Sequence, residues 1–216
     1  MNKNFINVTN SAIDRYNKRY NSLGNNVKSL GWGSLEQQKS RFENTIELTH
    51  YDGLSILDIG CGFGDYISFI KGKGLNFSKY EGWDINRNFI NEAIKKNKDT
   101  NVSFKEKDIL NHDFSSNIEF DATVMLGLLN FNLKSKIKNL NFSRAMIENA
   151  FKLTKKFLIV DFLSANLYEN YPKEDQVFYH SISDVISICE NLSNNFIIKH
   201  DYKPIPQKEF MVIIYK

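Results

Sequence analysis

Cysteine is almost absent from this chain: Cys61 and Cys189 are the only two among 216 residues. Two cysteines, one of them inside a glycine turn, build no disulfide framework, so a reducing compartment, the cytoplasm, is the expected setting. Neither has a CxxC partner or a histidine at zinc spacing, and no metal is expected. Proline is scarce too, with three residues beside abundant Asn and Lys, a bias that carries no mechanism. No run approaches the ~18 uninterrupted apolar residues that a bilayer-spanning helix needs, which excludes a helical membrane protein. The start, Met1 to Asn7, has no apolar stretch behind its early lysine, so export is not expected. An excess of one charge is also missing. The 28 Lys and Arg against 25 Asp and Glu leave +3, well short of the basic stripe of a nucleic-acid binder. The lysine groups 95/96/98, 134/136/138 and 152/155/156 read as solvated helix faces or ends.

What is present is a globular composition, 42% hydrophobic and 13% aromatic, at a length that suits one domain. Residues 8–22 and 34–49 read as two leading helices. In the second, Ser34 is a good N-cap, Gln37 stands three residues on, and Leu35, Phe42 and Ile46 share a face. The elbow Leu30-Gly31-Trp32-Gly33 lies between them. Short apolar runs at 54–59, 80–84, 102–106, 120–126 and 157–164 then alternate with helix-compatible stretches at 63–72, 86–97, 133–152 and 181–193. Two more strands, 195–200 and 209–215, are joined by a Pro-containing turn too short for a parallel crossover, so they run antiparallel. The expected fold is α/β: a doubly wound, mostly parallel sheet of seven strands with a reversed terminal strand, preceded by an N-terminal helical cap. Ligands of such sheets bind beyond the carboxyl ends of the strands, where the strand order changes direction.

The first strand runs into Leu57-Asp58-Ile59-Gly60-Cys61-Gly62-Phe63-Gly64-Asp65-Tyr66. Three glycines after a strand let a backbone approach a nucleotide closely. The dinucleotide fingerprint G-x-G-x-x-G is not met, because Asp65 holds the place of the third glycine. Asp58 stands at the strand end, where its carboxylate would repel a pyrophosphate and suit a cationic, amino-acid-like group. An NAD(P)-dependent oxidoreductase is therefore the disfavoured alternative.

LDIGCGFGD resembles the first motif of the class I S-adenosylmethionine-dependent methyltransferases, whose fold is Rossmann-like. The resemblance covers roughly residues 54–216 and implies a set of roles. The loop of Gly60, Cys61, Gly62 and Gly64 passes under the methionine and ribose part of S-adenosylmethionine, and Asp58 faces its amino group. Asp84, ending the second strand, takes the ribose hydroxyls, and Asp108 after the third takes the adenine amino group between Ile85 and Ile109. The fourth strand, through Leu126, ends beside the sulfonium. Residues 1–50 then form a cap over a cofactor-binding unit of residues 51–216.

A general base, where the acceptor needs one, belongs on the carboxyl side of the sheet. His50 precedes the first strand and His200 lies in a late one, so both are structural, and His112 is a weak candidate on the adenine side. His180 sits just outside a helix that Ser181 and Asp184 would cap, free either to face a pocket as the base or to lie in a surface loop. Arg41 can bind the cofactor carboxylate bidentately, while Tyr16 and Tyr20, one turn apart, read as cap packing. Trp32 is a lid candidate, with Asn130, Phe131, Tyr179 and His180 around the acceptor. No Asp/Asn-Pro-Pro-aromatic motif follows the fourth strand and there is no Pro-Cys pair, which points away from the usual nucleic-acid enzymes and toward a small-molecule acceptor, methylated at oxygen or nitrogen. An RNA methyltransferase is kept as the alternative. A narrower likeness rests on the W-G-S-x-x-Q-Q-x-x-R-F block of residues 32–42, on GFGDY, and on the pairs Asp201-Tyr202 and Glu209-Phe210. It is similar to small bacterial methyltransferases of surface-polysaccharide (capsule) modification, which implies a sugar or phosphoramidate acceptor.

Overall fold

In the computed structural model, residues 3–115, 119–134, 137–171, 173–201, 203 and 206–216 are described. Tyr202, Pro204 and Ile205 of the expected last turn, and Ser135 and Lys136 of the expected 133–152 stretch, lie outside the described residues.

Seven strands, β1 (Leu54–Ile59), β2 (Phe77–Asp84), β3 (Val102–Glu106), β4 (Phe120–Met125), β5 (Thr154–Leu163), β6 (Phe196–Lys199) and β7 (Glu209–Tyr215), form one sheet in the order β3-β2-β1-β4-β5-β7-β6. All neighbours are parallel except β7, which runs antiparallel to both β5 and β6. The order reverses between β1 and β4, and this switch point is where the crevice opens.

Strand side chains alternate between two apolar layers, as a sheet covered on both faces requires. Leu57 and Ile59 of β1 and Leu158, Val160 and Phe162 of β5 join one layer with Ile147 and Phe151 of α5 (Asn139–Lys152) and Val185 of α6 (Ile182–Glu190). Ile56, Phe157 and Ile159 join the other, with Phe42 of α2 (Leu35–Leu48), Tyr66 and Ile70 of α3 (Asp65–Gly72), and Ile90 and Ala93 of α4 (Arg87–Lys96). Truncating a fully buried member such as Ile56 or Leu158 to alanine costs about 2–5 kcal/mol.

Several element boundaries differ from the sequence reading. Strands β2 and β5 each begin three residues earlier, because Phe77 and Lys79 pair with Leu54 and Ser55, and Thr154 with Phe120, across register shifts that pass over the exposed Ser78 and Lys155-Lys156. Helix α5 begins at Asn139, whose side chain accepts from the Leu133 N–H and donates to the Phe131 carbonyl, tying both to the start of the helix. Ser34 accepts from the Gln37 N–H (3.1 Å) as an N-cap, while the Gln37 carboxamide oxygen accepts from Gly33 N–H, one residue outside the usual capping box. The side chain of Ser181 makes no cap bond to α6 and instead pairs with Ser183.

Candidate active site

Above the carboxyl ends of β1 to β4 lies a cleft of ≈ 1210 Å³, part of it open to solvent. Its roof is the N-terminal segment: Val8, Thr9, Ala12 and Tyr16 of α1 (Lys3–Leu23), then Leu30 and Trp32 of the elbow, then Gln38 and Phe42 of α2. Helix α1 is tied across the cleft by polar bonds, Asn17 to Asn86 and Asn88, Tyr20 to Glu92, and Thr9 to Asp108.

The floor is the glycine loop. Gly60 (φ 78°) and Gly62 (φ 53°) adopt the left-handed conformation that residues with a Cβ rarely take. A Cβ on either would also come within 2.8 Å of the Leu128 or Leu30 side chain, so the bare backbone forms the surface of the cleft. The N–H groups of Gly60 and Cys61 both donate to the Trp83 carbonyl, hooking the loop onto β2. Gly64 lies off the cleft, as the N-cap of α3.

Asp58 is 3% exposed, and its carboxylate accepts from the Tyr80 hydroxyl at 2.5 Å. Burial pushes its pKa to about 7, against the Tyr80 bond and aided by Asp84 and Asp65. Asp84 accepts the Gly62 N–H (3.0 Å) on one oxygen and the Asn86 N–H (2.8 Å) on the other. Burial still lifts it to about 6, and each oxygen keeps lone-pair capacity for a further donor such as a hydroxyl. Ile85, Ile109, Leu126 and Cys61 line the same cleft. Asp108 lines it too, with both oxygens engaged: one caps the turn at Leu110 N–H, the other accepts from Thr9 Oγ1 (2.8 Å) and Asn111 Nδ2. A buried carboxylate short of cations beside a bare glycine floor fits a ligand with an ammonium end and two vicinal hydroxyls. The chain's own residues thus fit S-adenosylmethionine.

Besides Gly64, four expectations need correction. Arg41 does not face the cleft. It is 3% exposed, binds Glu209 through Nε (2.8 Å) and Nη2 (2.5 Å), pairs with Asp161 through Nη1 (2.8 Å), and lies 4.5 Å from the Trp32 ring. Asp161 in turn accepts the Gly127 N–H. A buried guanidinium needs carboxylates, and the ends of β5 and β7 supply them from inside the protein. His180 is 1% exposed and off the cleft. Its backbone bridges to Ser164, extending β5, which turns the ring inward against Phe162 and Phe178 (each 4.7 Å) with Nε2 2.9 Å from Ser143 Oγ. Burial drives its pKa down to about 3, so it is neutral. Asn130 accepts from the Leu163 N–H, and the Tyr179 hydroxyl accepts from Gln207 and the Glu174 N–H, both holding loops outside the cleft. Trp32 and Phe131 do line it.

Tyr16, read as packing alone, is a cleft residue, and the 8, 9, 12, 16 spacing on one face of α1 was the available signal. His112 packs between Trp83 and Phe114, and His50 is exposed. Among the described residues no group of three or more His, Cys, Asp or Glu is arranged to hold a metal ion, and no helix is long and apolar enough to cross a membrane.

Residues 56–141, the span from β1 to the start of α5, match the family model described as "Methyltransferase domain". The chain is 25% identical over 169 residues to a ribosomal RNA small subunit methyltransferase A of Metamycoplasma arthritidis, covering 78% of this chain and 60% of that protein. It is 30% identical over 111 residues to N-methyltransferase 4 of Papaver somniferum, covering 50% of this chain and 30% of that one. It thus spans less than two thirds of both curated relatives. Its fold is that of magnesium protoporphyrin IX methyltransferase from Synechocystis PCC 6803, solved with S-adenosylhomocysteine (TM-score 0.63, 17% identity, 95% of this chain and 94% of that one). With a glycine floor, strand-end carboxylates and a reversed β7 in one architecture, the chain shares the fold of S-adenosylmethionine-dependent methyltransferases, and its residues 56–141 match the methyltransferase domain.

Proposed function

We propose that the protein methylates a small-molecule acceptor at nitrogen or oxygen, with the cofactor held along the floor of the cleft and the acceptor admitted beneath Trp32. The observation that carries this reading is the convergence of Asp58, Asp84, the Gly60–Gly62 floor and the aromatic roof on a single cleft. S-adenosylmethionine supplies a methyl group on a positively charged sulfur. Asp58 offers a buried carboxylate to an ammonium, and Asp84 offers oxygens to ribose hydroxyls. Asp108 and the apolar pair Ile85 and Ile109 border the region for the base. Gly127, its N–H held by Asp161, and Leu126 border the place for the reacting atoms, and α1 with the elbow excludes water.

The polysaccharide likeness suggests nucleotide-activated sugars and phosphoramidates as the first acceptors to try. In the structure the block behind that likeness makes internal bonds, Ser34 to Gln37 and Gln37 and Arg41 to Glu209, so of its side chains Trp32, Gln38 and Phe42 reach the cleft. The kinship to a ribosomal RNA enzyme favours RNA as the second reading, which a cleft lined by four aspartates does not support. Calorimetry with S-adenosylhomocysteine and NADH tests the cofactor: heat with the first and none with the second is expected, and the reverse ends the reading. Release of S-adenosylhomocysteine across a panel of acceptors, including a ribosomal RNA fragment, then assigns the class.

A further inference from the structure

Outside the track assigned to the cofactor, the cleft wall includes Tyr16, Leu30, Trp32, Phe42, Leu128 and Phe131, with Thr9 and Gln38 as polar neighbours. Three of these four rings come from the N-terminal segment, and Trp32 stands edge-on to Phe42 at 6.4 Å. Aromatic faces attract cations, the more so when water is excluded.

Formal charge on the cleft is mainly negative. Asp58, Asp84 and Asp108 line it, with Asp65, which is paired with Lys96, against Lys107, which lies 4.2 Å over Trp83 on the adenine side. None of the chain's five arginines is among the residues lining the cleft. Arg41 sits between two carboxylates behind Trp32, Arg15 stacks on Phe131 and reaches toward Gln176, and Arg19 donates to the Lys28 carbonyl. The Arg41, Asp161 and Glu209 group itself carries one negative charge in excess when all three are ionised. The four histidines also lie off the wall, so no imidazole stands by to remove a hydroxyl proton.

Resting on the methyltransferase reading, we propose that the acceptor is an amine on an apolar or aromatic body, methylated at nitrogen. The neutral amine is the attacking species: its lone pair forms the N–C bond while the C–S bond breaks and its electrons stay on sulfur, leaving a neutral thioether. The positive charge passes from sulfur to nitrogen, within the same aromatic wall. A secondary or tertiary ammonium product sheds its proton to water after release, so the transfer requires no base from the protein. An anionic acceptor would instead lie against carboxylates with no arginine facing it.

The test uses the S-adenosylhomocysteine-saturated protein and a matched pair of probes, benzyltrimethylammonium and phenyl phosphate, read by calorimetry and by quenching of Trp32. The cation is expected to bind at least tenfold more tightly than the anion. Trp32→Leu should lose at least tenfold of that affinity, and Trp32→Tyr should keep it within about threefold. Equal affinities, tighter binding of phenyl phosphate, or binding of neither probe overturns the amine assignment and leaves the cofactor reading intact. Failure of S-adenosylhomocysteine to bind at the outset overturns the methyltransferase reading instead.

Discussion

Replacing Arg41 with methionine removes the one positive charge from a sealed group and leaves Asp161 (0% exposed) and Glu209 (4%) facing each other across its place. Methionine retains much of the side-chain volume, so the loss is mainly electrostatic. Breaking a buried ion pair by removing one partner costs about 3–5 kcal/mol. For a chain of this size each kcal/mol lowers Tm by about 2–4 °C, so a fall of roughly 10 °C is expected. The loss has a pH signature. Burial already raises both carboxyls, against the pull of Arg41, and without the guanidinium they rise further. A carboxyl whose folded pKa lies above its unfolded value favours the fold at low pH and loses that contribution as pH rises through the folded pKa. Arg41→Met should therefore approach the parent Tm between pH 8 and pH 5, and Arg41→Met with Glu209→Gln should recover part of the loss at pH 8. Because Trp32 rests on the guanidinium and Gly127 is held by Asp161, the folded variant should also bind S-adenosylhomocysteine several-fold more weakly. Thermal melts at four pH values with calorimetry decide the matter. A variant that loses less than about 1 kcal/mol, with the parent's pH slope, would refute the claim that these charges depend on one another.

Asp84→Asn should weaken S-adenosylhomocysteine binding at least tenfold by calorimetry, since a hydrogen bond to a charged group contributes about 1.5–3 kcal/mol. Asp58, held near 7, presents its charge to an ammonium only above that pH, so affinity should fall about tenfold between pH 8 and pH 6, and Asp58→Asn should flatten the dependence. His180→Gln should leave S-adenosylhomocysteine affinity unchanged and lower stability by about 1–3 kcal/mol through the lost Ser143 bond and ring packing; a change in affinity with stability intact would return His180 to the site.

The fold was legible because local signals agreed with one another. The runs of β1, β4, β5 and β7 were mostly apolar, the connections were of crossover length, and the 195–215 stretch could only fold back on itself. The cofactor floor was legible because close backbone approach demands glycine, and a carboxylate at a strand end is conspicuous at Asp58 and Asp84. The acceptor side was not, because there a side chain's role depends on which way it turns. Arg41 and Gln38 share a helix face in sequence, yet one meets Glu209 and Asp161 inside the protein and the other lines the cleft. His180 was misplaced for a related reason: one backbone bridge to Ser164 rotates its ring from solvent into the core, and no pattern in residues 165–180 announces that bridge.

Strand β7 is inserted between β5 and β6, although it is the last strand in the chain. During synthesis β5 is made more than forty residues before the partner that covers its edge, and until then its row of Ile159, Val160, Phe162 and neighbouring backbone groups is open to other chains. Glu209, at the first position of β7, is also the counter-ion for Arg41, made 168 residues earlier. The cap therefore locks only when the sheet closes, and premature termination before residue 209 would leave a nascent chain with both an uncovered edge and an unneutralised buried arginine.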